Sequence, residues 1–133
     1  MSWVRSAAFF PVQIEQLSPA ALAYIGDAVY ELYIRTHYLL PPKRISDYHR
    51  QVVERVRAEN QAERLRSLHP HLNEREREMV RRGRNAATRR PQRLSLEVYQ
   101  QATSLETLVG YLYLTDPQRL EQVLGLLDDL APE

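Results

Sequence analysis

Leu22-Ala-Tyr-Ile-Gly-Asp-Ala-Val-Tyr-Glu-Leu-Tyr-Ile34 is the stretch on which the fold turns. Apolar side chains cover more than one face of the helix this segment forms, so the helix is expected to be buried on both sides. Asp27 stands in the middle of it. Desolvating an isolated carboxylate costs on the order of several kcal/mol, so Asp27 must be neutralised, paired with a basic side chain or set on a cation.

A second segment repeats the pattern: Ala102 to Leu114 is almost wholly apolar and carries Glu106. Gly26 adjoins Asp27, and Gly110 lies one turn beyond Glu106. A helix-interior glycine costs about 1 kcal/mol relative to alanine, so it marks the close approach of another backbone or a ligand. If the two helices face each other, Asp27 and Glu106 share one hard cation. Glu31, one turn after Asp27, adds a like charge that a cation or an arginine would relieve. The competing reading makes Asp27 and Glu106 core acids salt-bridged to arginines.

Outward from these segments the chain is punctuated as a helical bundle. Ser18-Pro19 caps the first helix, which is expected to run to about Tyr38 before Pro41 and Pro42 stop it. Ser46 caps a second, with Val52, Val53, Val56, Ala62 and Leu65 on its buried face up to Leu68, where His69-Pro70 breaks it. Asn73 with Glu76 forms a capping box that opens a short helix from Glu74 to Arg82, and Gly83 reads as its stop. After a basic loop, Ser95 caps a helix reaching Leu114, with Leu96, Val98, Tyr99, Ala102, Leu105, Leu108, Val109 and Leu112 among its buried positions. Asp116-Pro117 opens the last helix, whose stripe is Leu120, Val123, Leu124, Leu127 and Leu130 and whose terminal Asp128 and Asp129 oppose its dipole. Period-two alternation and hairpin turn signals are lacking, so the fold class is all-α.

The 133 residues make one domain, with residues 1–16 as an N-terminal extension. The chain has no cysteine, which excludes disulfides, thiolate metal sites and cysteine nucleophiles. Neither a signal peptide nor a membrane span is legible, and the cytoplasm is the expected location. The net charge of +1 conceals an uneven distribution: 17 of the 18 basic residues are Arg. Arg81, Arg82, Arg84, Arg89, Arg90 and Arg93 fall between Met79 and Leu96 with no acid among them, the footprint of an anionic partner. The planar guanidinium binds phosphate in bidentate fashion, which favours nucleic acid; the bland alternative is an arginine-rich coding bias on a solvated face. His69 and His71 belong to a turn and read as exposed; Tyr99 and Tyr111 read as core. Nucleophile-elbow, P-loop and dinucleotide fingerprints are absent.

Leu22-Ala-Tyr-Ile-Gly-Asp-Ala-Val-Tyr30 resembles the signature helix of ribonuclease III domains, and Ser104-Leu-Glu-Thr-Leu-Val-Gly110 resembles that family's second acidic motif. The match spans about Leu17 to Leu130, with no room after it for the usual double-stranded-RNA-binding domain; with the Arg82-Gly-Arg-Asn-Ala86 segment, this is most similar to the Mini-ribonuclease III subfamily. The resemblance implies a homodimer formed through the signature helix, with Tyr24, Ile25 and Val29 at the interface. It implies a Mg2+-dependent endoribonuclease, with Asp27 and Glu106 as catalytic metal ligands, that cuts double-stranded RNA to 5′-phosphate and 3′-hydroxyl ends. Stems of precursor 23S ribosomal RNA are the expected substrate; DNA and membranes are not expected partners. RNA is expected on Arg81, Arg82, Arg84, Asn85, Arg89 and Arg90, with Lys43 and Arg44 as a second patch. The family's further acids are replaced here by Ala20, Ala23 and Thr103, leaving the number of metal ions open. Those losses sustain another reading, a catalytically inert dimeric RNA-binding protein of ribosome assembly; a third, a protein-interaction bundle, would show no RNA affinity despite the arginine cluster.

Overall fold

The computed structural model describes residues 14, 16–88 and 92–129. The expectations for Arg89, Arg90, Leu130 and most of the N-terminal extension lie outside the described residues. Among the described residues six α-helices can be given bounds: α1 (Pro19–His37), α2 (Ile45–Val56), α3 (Ala58–Leu68), α4 (Glu74–Ala86), α5 (Leu96–Thr115) and α6 (Pro117–Asp129), with a 3₁₀ turn at His69–His71. Among the described residues there is no strand, and no helix is long and apolar enough to cross a membrane.

The expected caps form. Ser18 Oγ accepts from the Ala21 amide at 3.1 Å, Ser95 Oγ from Val98 at 3.1 Å, and Asn73 and Glu76 make both halves of a capping box. α5 is the central element; Leu105, Leu108 and Val109 are fully buried. α1 lies directly against it, and the glycines are the reason. A Cβ on Gly26 would stand 1.8 Å from the Glu106 carbonyl oxygen, and one on Gly110 would stand 2.0 Å from that of Leu22. The two helices thus cross backbone on backbone, and the crossing fixes Asp27 beside Glu106.

The structure departs from the sequence reading in several places. The second helix is two helices: Arg57 is extended (ψ 145°) and ends α2. The carbonyls this break exposes are taken by side chains of the next turn: Gln61 Nε2 donates to Val56 O at 2.9 Å and Asn60 Nδ2 to Glu54 O at 3.4 Å. Ser46 lies inside α2, and Arg44 occupies the cap position without a side-chain bond. Gly83 does not stop α4. The helix continues to Ala86, and Gly83 instead admits Thr107, whose Oγ1 would lie 2.5 Å from an added Cβ. Val53 and Leu96 are exposed rather than buried. Asp128 is relieved at the end of α6 by Arg55 and the Tyr33 hydroxyl, while Arg64 Nη1 donates to Leu127 O at 2.7 Å. α4 and α6 are joined by a buried fork: Arg119 Nε and Nη2 donate to Glu76 Oε2 and Oε1 at 2.8 and 3.0 Å.

Candidate metal and RNA site

Asp27 and Glu106 meet at the crossing of α1 and α5. Glu106 is half-buried and within hydrogen-bonding contact of Asp27, which is exposed at the mouth of a cleft of about 400 Å³. Asp27 is therefore not a core acid, because α5 covers only one side of α1. Burial first, and then the adjoining Asp27 carboxyl, pushes Glu106 from 4.5 up to about 8; only the Gln61 amide acts in the other direction. Among the described residues no arginine pairs with either acid. Asp27 is exposed and Glu106 only half-buried, so the pair does not have the full burial that the salt-bridged core reading expects. Glu31 is the acid that finds an arginine, Arg35, one turn on at 2.5 Å.

Ala20, Ala23 and Thr103, which stand where the resemblance would place further acids, line the same cleft. Their short side chains leave it open beside the two carboxylates. Among the described residues no set of three or more His, Cys, Asp or Glu gathers as a metal site. A pair of hard oxygen donors without a basic neighbour nevertheless suits Mg2+, which keeps several waters and takes only one or two protein carboxylates. Gln61, on α3, has a buried Oε1 without a hydrogen-bond partner among the described residues. Tyr24 and Tyr99 form the cleft's aromatic walls; Tyr99 is thus not wholly core, contrary to the expectation from its spacing. Tyr111 is half-buried beneath the Arg75 guanidinium, 5.4 Å from its ring centroid.

The basic segment approaches the cleft through Ala86, Ala87 and Thr88. Arg81, Arg82, Arg84 and Asn85 belong to the last turns of α4 and not to a loop. Arg84 and Asn85 are exposed. Arg81 pairs with Glu78, and Arg82 is half-buried over the Met79 sulfur. Of the second patch, Arg44 is exposed, whereas Lys43 donates to Tyr38 O and lies 5.9 Å from the Tyr48 ring centroid. His69 and His71 are exposed, in the 3₁₀ turn before α4, and belong to no metal-binding group among the described residues.

The residues assigned to a dimer interface separate. Tyr24 is 86% exposed and Ile25 half-buried, but Val29 is only 8% exposed and belongs to the protomer's own core. Position 29 lies on the α5 side of α1 along with Leu22 and Gly26, which removes it from the candidates. The open face of α1 instead presents Tyr24, Ala28 and Leu32 at successive turns. Sequence reasoning missed Ala28 and Leu32, although their i, i+4, i+8 spacing with Tyr24 is legible.

Comparison with known proteins places these features in a family. The Ribonuclease III domain model matches residues 20–117. The chain is 57% identical to the Mini-ribonuclease 3 of Synechocystis sp., covering 90% of this chain and 85% of that protein. It is 60% identical to the Mini-ribonuclease 3 of Synechococcus sp., covering 88% and 85%. An X-ray crystal structure of a Fusobacterium nucleatum protein superposes with a TM-score of 0.77 at 26% identity, covering 84% of this chain and 93% of that one.

Proposed function

This chain belongs to the ribonuclease III family, among the Mini-ribonuclease 3 proteins, and is a ribonuclease III-type endonuclease of double-stranded RNA; we propose that it works with Mg2+ held by Asp27 and Glu106, as a homodimer, on stems of precursor ribosomal RNA in the cytoplasm. The observation that carries the metal assignment is the pair of adjoining carboxyls that no basic side chain among the described residues neutralises. When bound, Mg2+ supplies an activated water and offsets the charge that builds on the scissile phosphate.

The protein's own part is placement. Glu106, half-buried, holds its ligand position through the helix crossing; Asp27, at the mouth, meets it from α1. Arg84 and Asn85 project from the end of α4, which borders the same cleft, and are the residues best exposed to take RNA phosphates and 2′-hydroxyls. Hydrolysis on the pair leaves 5′-phosphate and 3′-hydroxyl ends. The exposed apolar strip of Tyr24, Ala28 and Leu32 supports the homodimer: it adjoins Asp27, so a symmetric contact there sets two clefts near each other, one for each RNA strand.

Cleavage of a perfect RNA duplex, with Mg2+ present or chelated, tests the reading in the native protein and in folded Asp27→Asn and Glu106→Gln variants. Mg2+-dependent cuts on both strands, lost in both variants, are expected. Duplex binding without cleavage would replace it with the inert RNA-binding dimer, and no duplex binding at all with the protein-interaction bundle. Sedimentation of Tyr24→Arg, expected to be monomeric, tests the dimer separately.

A further inference from the structure

Arg64, on α3, has only 8% of its surface exposed. Its Nε donates to Asn60 Oδ1 at 2.6 Å and its Nη1 to Leu127 O, near the end of α6, at 2.7 Å. Nη2 has no protein partner among the described residues and is not sealed in. It opens on a cleft of about 410 Å³ that Arg64 lines together with Arg50, Glu54, Arg55 and Asn60. This cleft shares no residue with the one that holds Asp27 and Glu106.

The other charges of this cleft are matched. Arg50 pairs with Asp47 at 3.1 Å, Glu54 with Arg57 at 3.1 Å, and Arg55, only 4% exposed, with Asp128. Asp128 is fully engaged, because its second oxygen accepts from the Tyr33 hydroxyl. Arg64 meets an amide oxygen and a backbone carbonyl but, among the described residues, no carboxylate. A charge taken out of water is ordinarily paired, and this one has no counter-ion within the fold. Burial, and then repulsion from Arg55, lowers Arg64 from the usual arginine value, and the attraction of Asp128 does not make up for it. Capping α6 does not call for that charge: Gln61, on the same helix, closes the open Val56 carbonyl with a neutral amide at 2.9 Å. A guanidinium instead leaves a free N–H edge whose direction is set by the two bonds it already makes, and Arg55 brings a second guanidinium to the same cleft.

We propose that the cleft at the α2–α3 junction is an anion site in which Arg64, with Arg55 and Arg50 beside it, holds a phosphate group. Planar guanidinium forks match the oxygens of that group, and its charge supplies the counter-ion that Arg64 lacks. The group comes from a free phosphate anion or from the backbone of RNA that extends beyond the cutting cleft. The assignment does not depend on the Mg2+ reading.

Inorganic phosphate titrated into the native chain in chloride buffer, and followed by NMR on the arginine Nε–H signals, reads this directly. The signals of Arg64 and Arg55 are expected to shift and saturate together. Arg64→Met is expected to bind phosphate at least about tenfold more weakly, read from the remaining Arg55 signal. Arg64→Gln, which keeps an N–H for the Leu127 carbonyl, is expected to weaken it similarly and serves if the methionine variant misfolds. Duplex-RNA affinity in chelator, measured across a salt series, then names the source. A salt slope smaller by about one in the Arg64 variants assigns the cleft to an RNA phosphate, and unchanged duplex binding assigns it to a free anion. A native chain whose Arg64 and Arg55 signals ignore phosphate, or folded Arg64 variants that bind it as the native chain does, would overturn the anion site.

Discussion

Glu76 and Glu106 are two sequestered glutamates in one small helical protein, and their surroundings drive them in opposite directions. Burial by itself would raise Glu76, but the Arg119 fork and the Asn73 backbone amide outweigh it and hold the carboxyl below the usual range. Burial raises Glu106 too, and Asp27 adds to it, reaching about 8. Glu76 is a closed ion pair that ties α4 to α6. Glu106 instead meets a second acid, Asp27, and no arginine among the described residues. The position of the nearest arginine, more than burial, separates the two acids.

Exchanging the two roles gives the largest effects. Glu106→Gln should abolish duplex cleavage while leaving the apo protein at pH 8 at least as stable as the native chain, since a like-charge contact is removed; cleavage assays and thermal melts check both halves. Arg119→Met should do the reverse. Leaving Glu76 buried without its partner destabilises by about 3–5 kcal/mol in denaturant titration, with cleavage preserved below the lowered melting temperature.

The pH response differs in sign between the two acids. Glu106 has a raised value in the fold, so its contribution to stability is complete below 4.5 and is lost as pH rises to about 8. Glu76 has a lowered value, so its contribution is present above the ordinary carboxyl range and is lost as pH falls through the depressed one. Apo protein titrated from pH 5 to 8 should therefore lose on the order of a few kcal/mol, and Glu106→Gln should flatten that slope.

Smaller effects concern the crossing that brings the open pair together. Gly26→Ala places a methyl against the Glu106 carbonyl and should destabilise by about 1–3 kcal/mol while weakening Mg2+ binding, because α1 must retreat. Gly125→Ala, with nothing within 4 Å of the added carbon, should stabilise α6 by up to about 1 kcal/mol without altering cleavage. Melting curves of the two variants provide the comparison.

The open pair was legible in the sequence and the closed pairs were not. Gly26 beside Asp27, and Gly110 one turn from Glu106, announce a backbone crossing because a helix-interior glycine has little other reason to be there. Caps at Ser18, Asn73 and Ser95 are local chemistry and were equally readable. Glu76 finds Arg119 across 43 positions and Arg55 finds Asp128 across 73, distances over which no local pattern operates. The break at Arg57 was hidden for a related reason: helix-forming residues continue through it, and what makes it tolerable is side chains of the following turn bonding back. Gly83 carried a true signal, close approach, that was read as its commoner meaning at a helix end.

The most direct test of the central claim is the shift in melting temperature that Mg2+ produces at pH 8 in the native chain and in Glu106→Gln. A cation completing the Asp27–Glu106 pair raises the melting temperature of the native chain and leaves that of the variant unchanged. A native chain indifferent to Mg2+, together with a variant less stable than it, would contradict the account and make Glu106 a structural residue like Glu76.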